Sequence, residues 1–371
     1  MNRKEFLKIT ASAAVAPALV RAAGSGDAEP AVAAPNSFVR TSGPEIWSVP
    51  PPVPQIPVGT PLPASFTDGG GWTLALLPDT QIYSIEYQDV YPRQTAWLAA
   101  NRERLNLCFV AHEGDIVHGN THAEWLVAKN AHDILFKHGI PFSLLPGNHD
   151  LGPWGDSSSR HTLLNDYLTD RHYRNSAGFG LHQKQRLENS WHRFKTADGE
   201  KLLVSLEFGP RNSVLEWANA IVSENASLDT IIVTHAYLYS DSTRYDWSKH
   251  GRSQKWNPHG YPLAKDGDVN DGQEIWDKFI SRHANIRLVL SGHVLNNGTG
   301  HLVSQGKDGR PVHQILANYQ GGVKPDRGFG GGGFMRLLRF HDKTKTVEIK
   351  TYSPWYDRWI TSPEHDFTLT L

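Results

Sequence analysis

Short apolar runs recur along the chain, and each stops at a polar residue of a type that binds metals. Trp72-Thr73-Leu74-Ala75-Leu76-Leu77 stops at Pro78-Asp79-Thr80-Gln81. Leu107–Ala111 leads to Gly114-Asp115-Ile116-Val117-His118, and Phe142–Leu145 to Gly147-Asn148-His149-Asp150. Thr230–Val233 leads to His235, and Ile286–Leu290 to Ser291-Gly292-His293. Apolar runs without polar alternation predict strands covered on both faces. Between them, helical spacing predicts helices over about Pro92–Arg104, with Trp97 and Leu98 inward, and Thr121–Lys137, with Trp125, Ala128, Ile134 and Leu135. Further helices are expected around Ser213–Glu224 and Gln273–Arg282, and further strands at Leu202–Leu206, Val312–Leu316, Phe334–Phe340, Thr346–Tyr352 and Phe367–Leu371. This alternation predicts an α/β layered fold. Ligands of open α/β sheets gather at the carboxyl ends of the strands, so the five exits can converge on one site.

Two long polar stretches, Asp150–Ser190 and Tyr237–Val269, carry many aromatic residues and are expected to wall the site. Gly328–Gly333 lacks the Gly-Lys-Ser/Thr ending of a phosphate loop and is expected to be a hairpin-like connection.

Composition sets the frame. The chain has 371 residues with 39% hydrophobic content, enough for one large domain, expected over residues 71–371. Arg3 and Lys4 followed by small apolar residues from Ile9 to Val20 predict an export signal over residues 1–23, with an apolar core too short to span a bilayer. Asn2–Lys8 resembles the twin-arginine motif, with Lys4 where the second arginine belongs, so a twin-arginine and a general secretory route are both open. Either leads to the periplasm or the exterior. Residues 24–70, rich in Pro, Ala and Gly, predict an extended linker, with Trp47 and Phe66 offering a way to pack on the domain. A formal net charge of −1 with scattered basic residues speaks against long nucleic acid as a partner. Cys108 is the single cysteine, which excludes an intrachain disulfide and a thiolate cluster, and its apolar surroundings predict a buried small side chain.

The five motifs, in this order and spacing, resemble the calcineurin-like metallophosphoesterases over roughly Trp72 to the C-terminus. The resemblance implies a two-sheet α/β sandwich flanked by helices, with two divalent metal ions at the strand-end loops bridged by an aspartate. Carried over residue by residue, it implies Asp115 as the bridge, with Asn148, His235 and His293 completing the second metal position. Asp79 and Asp115 would serve the first, where this chain departs twice. Gln81 stands in place of a histidine, and Leu295 in place of the second histidine of the last motif. A glutamine carbonyl can ligate a metal and leucine cannot, so the first position is expected to bind weakly. His118 stands where the related purple acid phosphatases carry a tyrosine ligand and is a candidate to compensate; Asn296 and Asn297 are weaker candidates.

Carboxylate, amide and imidazole ligands suit Mn, Zn or Fe. Two such ions about 3.5–4 Å apart clamp a phosphoryl group and activate water for in-line attack. The resemblance makes His149 the catalytic imidazole, held by Asp150 so that it can stabilise phosphoryl oxygens or protonate the leaving group. Arg211, after Pro210, is expected either to contact phosphate or simply to begin a helix. Arg244, Trp247, Trp256, His259 and Asn318-Tyr319-Gln320 are candidate pocket residues. The expected function is metal-dependent hydrolysis of a small phosphomonoester or phosphodiester. The alternatives are a non-catalytic single-metal protein that holds a phosphorylated ligand, and a dinuclear hydrolase of another bond, such as an amide or a phosphonate.

Overall fold

A strand whose successive side chains point to opposite faces loses its polar alternation when both faces are covered. In the computed structural model, which describes residues 61–67, 70–323, 328–341 and 343–371, β1 (Trp72–Leu77) is such a strand, buried along its whole length. Its Leu74 and Leu76 enter a core shared by two sheets, while Ala75 and Leu77 pack against helices. The second sheet divides in the same way. Leu203, Val233, Leu288 and Leu290 face the inter-sheet core, and Val204, Leu206, Ile232 and Val289 face helices.

Both sheets are mixed. In the first, β1, β2 (Leu107–His112) and β3 (Phe142–Ser143) are parallel. Antiparallel strands β11 (Met335–His341), β12 (Thr346–Ser353), β13 (Arg358–Ile360) and β14 (Phe367–Thr370) extend it beyond β1. In the second, β6 (Gly199–Leu206), β7 (Thr230–Thr234), β8 (Ile286–Ser291) and β10 (Pro311–Ala317) are parallel. Its edges are antiparallel, formed by β4 (Gly178–Gln183) with β5 (Arg186–Thr196) and by β9 (Thr299–Gln305).

Helices cover the outer faces. Val90–Ala100 and His122–Lys137 lay Trp97, Leu98, Trp125, Ala128 and Leu135 on the first sheet. Asn212–Glu224 and Gly272–Lys278 lay Val214, Ala218, Val222 and Ile275 on the second. The result is an α/β sandwich of two mixed sheets between helices, with every parallel run of strands aimed at one end. The helix His122–Lys137 starts at Thr121 in a capping box: the Glu124 carboxylate accepts the N–H groups of Gly119 (2.8 Å) and Thr121 (3.2 Å).

Several boundaries differ from expectation. The helix expected over Pro92–Arg104 is interrupted at Asn101 and resumes as Arg102–Leu105, and the one expected over Gln273–Arg282 ends as a helix at Lys278. β4, β5, β9 and β13 carry no apolar run. In β5 the buried side chains include Glu188, Asn189, Ser190 and His192, so the segment reads as a polar loop although β4 and β6 pair with it on both sides. Cys108 is only half-buried, at the flank of the inter-sheet core. The expected leader, and the linker through residue 60, lie outside the described residues. At the end of that stretch Phe66 is buried, beside Trp359 (ring centroids 6.1 Å apart) and under the Arg339 guanidinium. Among the described residues no helix is long and apolar enough to cross a membrane.

Burial pushes His192 down to about 3, and its ring nitrogens meet the Ser176 and Ser190 hydroxyls at 3.0 Å. The unfolded chain binds a proton at this residue near pH 6.5 and the folded chain does not, so His192 costs no stability above that pH and an increasing amount below it. Relative to His192→Gln in the same metal state, the wild type is expected to lose about 2 kcal/mol between pH 7.5 and 5, read from urea midpoints. Parallel pH profiles for the two proteins would contradict a neutral buried imidazole.

Candidate metal centre

The parallel strands deliver their loops to a common end. Asp79 follows β1, Asp115 follows β2, Asn148 follows β3, His235 follows β7 and His293 follows β8. All five are buried. Asp79, Asp115 and His293 take left-handed backbone angles (φ 33°, 50° and 75°), a conformation seldom adopted by residues other than glycine and one that turns each side chain sharply out of its strand. The Gly292 N–H donates to the His235 carbonyl (3.0 Å), joining the last two loops.

His235 Nε2 lies 3.2 Å from Asp115 Oδ1, 3.2 Å from Asn148 Oδ1 and 3.0 Å from His293 Nδ1. The protons of both rings are committed elsewhere. His235 Nδ1–H donates to the Glu113 carbonyl and His293 Nε2–H to the Trp256 carbonyl, each at 2.8 Å. A carbonyl can only accept, so the nitrogens facing the centre carry lone pairs. Burial, and then His235, push His293 down to about 3, so no second proton sits there at neutral pH. With both rings in their neutral form, two imidazole nitrogens, a carboxylate oxygen and an amide oxygen face one another with no hydrogen between them. That arrangement is repulsive unless a cation lies among them, and the donor set is the one first-row divalent ions favour. Asp115, His235 and His293 form a group of ligand atoms within 4.8 Å of one another. Burial and then Asp115 push the Asp79 carboxyl well up.

The motif glycines permit this closeness. A Cβ on Gly147 would sit 2.2 Å from Asp115 Oδ1, and one on Gly292 would sit 2.3 Å from Asp79 Oδ2.

The structure separates the roles expected of His149 and Asp150. Asp150 does not hold the His149 ring. Its carboxylate accepts three backbone N–H groups, from Ile116 (3.1 Å), Val117 (2.8 Å) and Gly147 (2.7 Å), so it ties the loop after β2 to the loop after β3. Burial and then Asp115 push its carboxyl up, against the pull of those donors. The His149 ring is set instead by the His118 carbonyl, which accepts Nδ1–H at 2.9 Å, and by the His118 ring stacked on it at 4.8 Å. His118 thus supplies a carbonyl and a ring face, and its side chain is not in the ligand group.

Gln81 is at the centre, but as a hydrogen-bond donor and not as an oxygen ligand: its amide N–H groups go to Asp115 Oδ2 (2.9 Å) and Gln320 Oε1 (2.8 Å). Asn318 accepts the Gln320 N–H (2.8 Å), which shapes that loop. Both candidate arginines are engaged away from the centre. Arg211 forms a two-pronged pair with Glu207 (2.8 and 3.2 Å). Arg244 donates to Gln314, Gln273, Ser304 and Tyr237 and lies 3.9 Å over the Trp276 ring. Asn296 is exposed and bonded to Ser240. His259 pairs with Glu274 (2.6 Å), and with Asp271 these make a second ligand-type group. Both Asp271 oxygens there already accept backbone N–H groups, from Trp247, Gln273 and Glu274, and cap a helix.

Sequence reading missed the carbonyls of Glu113, His118 and Trp256, because any residue supplies a carbonyl. It also missed His112, whose ring joins the first two loops: Nδ1 accepts the Gly114 N–H (3.1 Å) and Nε2–H reaches the Thr80 hydroxyl (2.9 Å). The signal was present two residues before Gly114. Phe208, Tyr245 and Tyr261 pack around the His293 ring.

Two substitutions test these assignments. Gly147→Ala is expected to push Asp115 aside and weaken Mn binding by about tenfold or more in calorimetric titration. Asp150→Asn keeps the shape but faces a backbone N–H with an amide N–H, and is expected to cost about 2–3 kcal/mol in urea unfolding. Unchanged stability with lost turnover would instead restore Asp150 as the residue that orients His149.

Comparison with known proteins gives a family. The calcineurin-like phosphoesterase model matches residues 74–297, more than half of the chain, from β1 past His293. The uncharacterized protein YvnB of Bacillus subtilis (strain 168) is 27% identical over 312 residues, 81% of this chain and 22% of that protein, so the chain spans about a fifth of its length. Among solved structures, it is similar to purple acid phosphatase PPD1 from yellow lupin (Lupinus luteus) seeds, with a TM-score of 0.46, 14% identity, and coverage of 81% of this chain and 53% of that one. It is also similar to GAP50, the anchor in the inner membrane complex of Plasmodium, with a TM-score of 0.41, 13% identity, and coverage of 81% and 90%. The chain belongs to the calcineurin-like phosphoesterase family.

Proposed function

We propose that the chain is a metal-dependent hydrolase of a small phosphomonoester or phosphodiester. One observation carries the reading: Asp115, Asn148, His235 and His293 turn bare lone pairs on one point, and His149 is the residue next to Asn148. A bound divalent ion would polarise a phosphoryl oxygen and make water acidic enough to act as nucleophile near neutral pH. The chain's own residues do the rest. Asp115 and Asn148 provide one charged and one neutral oxygen, so the site keeps a net attraction for an anionic ester once a dication is bound. The His118 carbonyl occupies Nδ1–H of His149, which assigns proton exchange to Nε2. Protonated, Nε2 donates to the leaving oxygen; neutral, it accepts a hydrogen bond. The rings of Phe208, Tyr245 and Tyr261 keep water from the far side of His293.

A second reading, a non-catalytic metal protein that holds a phosphorylated ligand, draws on the Gln81 bond to Asp115, which differs from the family's usual histidine ligand. The full chain, reconstituted separately with Mn, Zn and Fe, should hydrolyse p-nitrophenyl phosphate or bis(p-nitrophenyl) phosphate. His149→Ala should lower kcat by about 100-fold or more at unchanged metal content, and Asn148→Ala should lose metal and turnover together. Folded, metal-loaded protein that turns over neither ester would give the binding reading first place.

A further inference from the structure

We infer that the centre holds one metal ion, because a pair of glutamines closes the position where a second ion would bind. The inference rests on the metal position proposed above and not on the reaction carried out there. An aspartate bridges two ions by giving one oxygen to each. In this chain the two oxygens of Asp115 have different neighbours. Oδ1 faces His235 and accepts the His149 N–H (2.9 Å). Oδ2 accepts Gln81 Nε2–H at 2.9 Å. The same nitrogen gives its other hydrogen to Gln320 Oε1 at 2.8 Å. A primary amide nitrogen has two hydrogens and no available lone pair, so both are used and the atom beside Oδ2 cannot ligate. A cation on that side would meet amide hydrogens.

The clasp is built from both sheets. Gln81 opens the short helix after β1, and Gln320 lies on the loop after β10, where the Asn318 side chain accepts its N–H (2.8 Å). The loop Phe329–Gly331 packs against the chain neighbours of both partners, Gly330 against Ile82 and Gly331 against the Tyr319 carbonyl. Other donors on this side are few. The Asp79 carboxylate already spans the His293 N–H with both oxygens (3.1 and 3.2 Å), bracing the last motif. Leu295 offers no ligand atom. The Gln81 carbonyl oxygen is buried without a hydrogen-bond partner, and turning the amide would present it to an ion at the cost of the bond to Asp115. Even then Asp79, Asp115 and Gln81 make three protein donors, against four at the position lined by Asp115, Asn148, His235 and His293.

Metal stoichiometry tests this without reference to catalysis. The full chain is stripped with chelator, saturated with Mn, passed through gel filtration and assayed for Mn per chain and by electron paramagnetic resonance. One Mn per chain with the six-line signal of an isolated ion is expected. The double variant Gln81→His with Leu295→His should take up a second ion and show an exchange-coupled spectrum; a folded variant that stays at one ion would refute the clasp as the cause. Two ions with a coupled spectrum in the wild type would overturn the inference outright, and no bound ion would overturn it together with the metal position. One ion without hydrolysis of either p-nitrophenyl ester would leave it standing while the phosphoesterase reading fell.

Discussion

The carboxylate of Asp115 is the charge around which the centre is arranged. It is buried, it stands on a left-handed residue, and it is approached by an imidazole, an amide and a backbone N–H from three other places in the chain. A buried anion is tolerated only where it is paired, hydrogen-bonded or bound to a metal. The surroundings of Asp115 supply hydrogen bonds on one oxygen from Gln81 and on the other from His149, and leave the remaining demand to a cation. The other loops are held in register by this need. Asp150 draws the two neighbouring loops together through backbone N–H groups, and Asp79 does the same for the loop that carries His293.

Much of the centre's specificity is in atoms that no side-chain motif names. The Glu113, Trp256 and His118 carbonyls decide which nitrogen of His235, His293 and His149 bears the proton. An imidazole can ligate or exchange protons only through the nitrogen left without a fixed donor role, so three backbone oxygens fix which nitrogen of each ring is turned to the centre. Trp256 was a candidate for its ring and contributes its carbonyl. Asp150 was a candidate partner of His149 and contributes rigidity.

Gln81 and Leu295, the departures from the family pattern, come from motifs more than two hundred residues apart. Gln81 takes the side facing Asp115 Oδ2. The Gln81 amide is matched there by Gln320 from the other sheet, so the substitution has a partner and its polar hydrogens are satisfied. The side facing Oδ1 keeps its full set of donors. The two oxygens of Asp115 therefore face different chemistry, imidazole on one side and a primary amide on the other.

The sequence by itself determined the layers and the meeting point. Apolar runs such as Trp72–Leu77 and Ile286–Leu290 declare strands buried on both faces, and a metal-ligand residue type at each strand exit declares a shared end, because these patterns are local consequences of burial and of strand geometry. What it left open was decided by tertiary contact. The polar strand β5 is a strand because its neighbours β4 and β6 pair with it, and periodicity cannot report that. Arg211 and Arg244 carry the right charge for phosphate, but Glu207 and the Gln314–Ser304 surface lie nearer to them. Which oxygen of Asp115 meets Gln81, and which nitrogen of each histidine is bare, follow from contacts between segments far apart in the chain, and hydrogen-bond direction exists only once those segments are folded together.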